Sequence, residues 1–142
     1  MADGRVDLSR PKATCQAVRN GGAAIFMWEW DDRFGAALSP FRAPHRSKVH
    51  ALLEETFGTA WDSTSIEGAP PAVARIADAF GGLWPGQELF VSEADRGVAT
   101  CACWWPWGNG ETISVRIALV ADGVPDAERP ALVAELRSWF AV

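Results

Sequence analysis

Two ten-residue apolar stretches, residues 98–107 and 112–121, flank the short link Gly108-Asn109-Gly110-Glu111. Two β-prone runs around an Asn-Gly pair define an antiparallel hairpin, because that pair tolerates the positive backbone angles a tight reversal needs. This hairpin constrains the rest of the chain, since both of its faces carry large apolar side chains. With side chains alternating along a strand, Cys101, Cys103, Trp105 and Trp107 share one face, and Val98, Thr100, Ala102 and Trp104 the other. On 112–121, Ile113, Val115, Ile117 and Leu119 face the core, and Arg116 lies opposite between Ser114 and Ala118. One layer of helices covers one face only. The other face is either covered by a second layer or left exposed to bind something.

Helical patterns supply the covering layer. Val49, Leu52, Leu53, Thr56 and Phe57 recur at helical spacing over 46–57, and Gly58 follows as a stop. Pro70-Pro71 opens a helix to about Phe80, with Val73, Ile76, Ala77 and Phe80 as its buried stripe and Gly81-Gly82 ending it. A last helix over 130–140 turns Leu132, Val133, Leu136, Trp139 and Phe140 inward. A weaker one starts at Ser9, as cap, with Pro11 in its first turn, and stops at Asn20-Gly21-Gly22. Further strands are expected over 23–30, 36–41 and 88–93, a turn over 122–126, and a loop over 59–69 containing Trp61. In 23–30, Phe26, Trp28 and Trp30 share a face. Locally paired strands with helices grouped between them define an α+β fold. We expect an antiparallel sheet of about five strands with three or four helices packed mainly on one face. At 142 residues the chain fits a single compact domain over residues 1–142.

Composition narrows the function classes. Hydrophobic residues make up 49% of the chain, which excludes a mainly disordered one. The net charge of −5 gives no general attraction to nucleic acid or an anionic membrane, so neither is an expected partner. Residues 1–50 are nevertheless net basic, with a local patch at Arg42, Arg46 and Lys48, and residues 51–142 net acidic. No apolar run is long enough to span a bilayer, and the first ten residues lack the core of a secretory signal. A cytoplasmic protein with reduced Cys15, Cys101 and Cys103 is the expectation.

Catalytic motifs do not stand out. Cys101-x-Cys103 has the wrong bite for a zinc knuckle and reads as a buried pair. His45 and His50 are five residues apart, and His50 reads as a structural imidazole. The acid pairs Glu54-Glu55, Asp31-Asp32 and Glu93/Asp95 are adjacent or in loops, although Asp31 and Asp32 beside Trp30 and Arg33 also suit the polar rim of an aromatic groove. No cofactor or metal is implied, and enzymatic activity stays open. What sets the chain apart is eight tryptophans and no tyrosine. Tryptophan is enriched at interface hot spots. The sites expected to bind a partner or ligand are therefore Trp28, Trp30, Trp105, Trp107 and Arg116, with Trp139 assigned to the core.

Three functions compete. The first is a non-enzymatic binding protein that contacts a protein partner through a Trp-rich sheet surface, as an inhibitor, immunity protein, adaptor or chaperone does. On this reading the acidic second half suits a basic partner. The second is a small-molecule-binding or small enzyme domain with an aromatic-lined pocket for an apolar or aromatic ligand. The third is a structural homodimer that buries the same surface by self-association.

Overall fold

The computed structural model describes residues 8–92, 97–121 and 124–142. The acid pair Glu93/Asp95, the end of the strand expected over 88–93, the first seven residues and part of the turn at 122–126 lie outside them. The elements run α1 (Ser9–Gly21), β1 (Glu29–Asp31), β2 (Ala36–Arg42), α2 (Arg46–Phe57), β3 (Ala60–Asp62), α3 (Pro71–Ala79), β4 (Glu88–Val91), β5 (Val98–Trp107), β6 (Thr112–Ala121) and α4 (Arg129–Phe140). Among the described residues, six strands form one antiparallel sheet in the order β1-β2-β6-β5-β4-β3.

The hairpin sits at the centre of this sheet. β5 and β6 pair over their full length, from Val98↔Ala121 to Trp107↔Thr112. Its reversal differs in detail from the sequence expectation. Gly108 and Gly110 take the positive φ angles, 48° and 81°, and Asn109 does not. Asn109 instead accepts the Glu111 amide on its side-chain oxygen at 3.0 Å, and the Gly110 amide bonds the Trp107 carbonyl at 2.8 Å. A polar side chain closing its own turn in this way replaces a backbone partner.

Packing follows the alternation of the central strands. Ala102, Trp104, Ile113, Val115 and Ile117 face Cys15 and Val18 of α1, Val49, Leu53 and Phe57 of α2, and Leu136, Trp139 and Phe140 of α4. On the reverse face, Cys101, Cys103, Leu89, Ala118 and Ala36 meet Ile76 and Ala77 of α3. The α-helices of the described residues thus lie mainly on one face, three against one, and the other face is left to α3, which has nine residues.

Several local expectations change. Residues 23–28 are not strand. β1 has only three residues, although Phe26, Trp28 and Trp30 do share the helix-covered side. The loop at 59–69 contains β3, which pairs Trp61 with Leu89 and adds a sixth strand. Three residues are too few to show an alternation, so the pattern gave no signal. Both sheet edges are these three-residue strands, which leave little unpaired backbone to template aggregation. Ser9 is the first residue of α1, with Leu8 as its cap, and no side chain caps the helix. Val133 faces outward, 37% exposed, rather than into the core.

Candidate functional site

Each proposed residue is placed by the face its strand presents. Trp28 packs under the helices, with ring centroids 4.7 Å from Phe26 and 4.5 Å from Phe140. Trp30 also joins that core, beneath the Arg137 guanidinium at 5.0 Å, while part of it reaches the far side of the sheet at the β1 edge. Trp105, Trp107 and Arg116 lie on the opposite face. The five residues therefore do not form one cluster. Trp28 stands apart, and Trp105, Trp107 and Arg116 come together with the rim of Trp30.

That second face holds an open groove of about 600 Å³ between the β1–β2 turn, the segment after α3 and the tip of the hairpin. Its floor is Arg116, 8% exposed at the middle of β6. A buried guanidinium needs a counter-charge and satisfied donors. Arg116 Nε donates to Asp31 Oδ2 at 2.7 Å, Nη1 donates to Ser114 Oγ at 3.3 Å, and the cation lies 4.3 Å from the Trp105 ring centroid. Ser114 Oγ also accepts the Trp107 indole N–H at 2.9 Å, which fixes one edge of that ring.

The wall is aromatic. Phe34 and Phe80 meet Trp105 edge-on, at 5.6 and 6.2 Å, in the T-shaped arrangement that ring quadrupoles favour. Trp105 is half-buried here, and its indole nitrogen is buried without an acceptor. The rim is formed by Trp107 and by Trp84, 53% and 69% exposed. Trp84 reaches the groove because Gly81 and Gly82, with φ of 91° and 82°, turn the chain sharply out of α3. Its backbone N–H is held by Gln87 Oε1 at 2.9 Å.

Asp31, Asp32 and Arg33 line the groove, as the rim reading of that turn anticipates. Burial pushes the Asp31 carboxyl up, but hydrogen bonds from Arg116 and the Arg33 amide, with the Arg116 charge, outweigh it and hold it below the usual aspartate range. Phe34, Phe80, Trp84 and Gln87 were missed as site residues. A signal existed for Trp84, a tryptophan in the Gly/Pro-rich stretch 81–86. None existed for Phe34 and Phe80, whose meeting depends on tertiary structure.

The other chemistry-bearing residues stay outside the groove. Arg42, Arg46 and Lys48 are exposed at the start of α2. On the helix-covered side, His50 Nδ1 faces Glu54 Oε1 at 2.5 Å and its Nε2 faces Glu88 Oε2 at 2.9 Å, with Trp104 edge-on at 5.0 Å. The two carboxylates sit on opposite sides of the ring, so they do not converge on one point. Among the described residues no group of three or more His, Cys, Asp or Glu is arranged to hold a metal. The three thiols are buried. Burial raises Cys15 to about 12, and burial, then a hydrogen bond with Cys101, raises Cys103 well above the usual thiol value. No helix among the described residues is long and apolar enough to cross a membrane. Comparison with protein-family models, curated proteins and solved structures gives no match.

Proposed function

We propose that this chain is a non-enzymatic binding protein that contacts a protein partner through the groove edged by Trp84 and Trp107. The observation that carries the reading is the exposure of these two indoles, 69% and 53%, above a floor already locked by Arg116, Asp31 and Ser114. An exposed indole contributes strongly when desolvated, and the hydrogen bond from the Trp107 ring to Ser114 reduces the entropy that Trp107 loses on binding. The groove is open rather than enclosed, which suits a side chain or loop of a partner. Its lining balances Asp31 and Asp32 against Arg33 and Arg116, so the groove itself gives no preference for a basic partner. A small apolar or aromatic ligand in the same groove is the second reading, favoured by a volume within the range of ligand pockets.

Affinity capture from native extract tests the proposal, with the parent chain, Trp84→Ala/Trp107→Ala and Trp139→Ala as baits. The double variant should unfold at nearly the parental denaturant concentration and lose the captured protein. Trp139, 7% exposed in the helical layer, should instead cost roughly 3–5 kcal/mol of stability on truncation to alanine. Equal capture by parent and double variant contradicts the reading. A concentration-dependent dimer, abolished in the double variant, would transfer the surface to self-association.

A further inference from the structure

A second cleft, of about 380 Å³, lies on the same sheet face beyond the Phe34–Phe80 pair, between α3 and β6. Its floor is apolar, formed by Ile76, Ala118 and Val120. Three arginines line it, Arg33 from the β1–β2 turn, Arg75 from α3 and Arg129 from the start of α4. None of the described lining residues is acidic, in a chain whose net charge is −5. Three guanidinium groups from three separate elements over an apolar floor concentrate positive charge against the composition.

Each arginine already has a contact in the free chain. Arg129 Nε donates to Asp126 at 2.9 Å and its Nη2 donates to the Ala121 carbonyl at 3.3 Å, the Arg33 guanidinium lies 4.9 Å from the Phe34 ring centroid, and Arg75 is also engaged. For Arg33 and Arg129 these contacts orient the groups without exhausting them, since an arginine carries five N–H donors. Asp126 is almost fully exposed, with a side-chain accessibility of 97%, so its pairing with Arg129 is a weak competitor for an incoming anion.

We infer that this cleft binds a small amphiphile, one oxyanion head on a short apolar body. The head takes charge-assisted hydrogen bonds from the arginines, and the body covers Ile76, Ala118 and Val120. The cleft shares Arg33, Phe34 and Phe80 with the groove, but neither Trp84 nor Trp107 lines it, so variants at those two indoles separate this assignment from the first.

Isothermal titration with octanoate, octyl phosphate, octylamine and octanol tests it. Octanoate or octyl phosphate should bind at one site per chain, more weakly as salt is added, and octylamine and octanol should not compete. The two anions distinguish a carboxylate site from a phosphate site. Arg33→Gln and Arg75→Gln should each weaken binding about tenfold. Ala72→Glu puts a carboxylate on the exposed wall, in the first turn of α3 where an acid suits the helix dipole, and should abolish binding with an unchanged circular dichroism spectrum. Trp107→Ala should bind octanoate like the parent. Equal binding of octanol and octanoate, indifference to all three variants, or no saturable binding of either anion overturns the inference.

Discussion

At the scale of single residues, Arg116 organises the groove. A charged side chain in the middle of an apolar strand is legible from the alternation of Ile113, Val115 and Ile117 around it. Its partner is not. Asp31 lies 85 positions earlier, and the two meet because β2 pairs with β6 and carries the β1–β2 turn alongside. Local patterns do not encode that strand order. Asp31 is held below its ordinary value in the fold, so the pair contributes stability that is fully present above the unfolded aspartate value, about 3.9. The contribution is lost as pH falls from there through the folded value. Asp31→Asn leaves the Arg116 cation without its counter-charge and should cost about 3 kcal/mol at pH 7. Urea unfolding over a pH series should show the gap between variant and parent shrinking in acid. A gap that stays constant down to pH 2 would mean that the Asp31 charge contributes nothing.

At the scale of elements, α3 is the weak cover. It buries only Ile76 and Ala77, whereas α4 buries Leu132, Leu136, Trp139 and Phe140. Burying one isoleucine is worth roughly 2 kcal/mol, so α3 should detach more often than the three helices opposite. The helices themselves are well marked in the sequence by their stripes and their Pro and Gly boundaries. Which face each one covers is not, because a stripe says that a helix packs and not against what. The same gap explains Trp28 and Trp30, whose shared face follows from period two while its burial under α4 does not. Cys101 and Cys103 pack on the α3 side of the sheet and Cys15 is a buried residue of α1 on the other side, which sets up a direct comparison. Disulfide exchange with an aromatic disulfide reagent, followed by mass spectrometry, should label Cys101 and Cys103 before Cys15 under native conditions, all slowly because the thiols are buried. Simultaneous labelling of all three would indicate global unfolding instead of local opening at α3.

At the scale of the whole molecule, the two sides of the sheet are unequal. Three helices close one side, and a single short helix leaves a groove and an arginine-lined cleft on the other. We propose that the sparsely covered face is the working surface. Photo-crosslinking inside the native cell addresses it directly, with a photoreactive phenylalanine analogue replacing Trp107 in one chain and Val133 in another. Both positions are exposed, at 53% and 37%, Trp107 on the groove side of the sheet and Val133 on α4, in the helical layer that covers the other side. A discrete crosslinked protein is expected from position 107 and none from position 133. A crosslink from position 133 alone would place the working surface on the helical layer and contradict it.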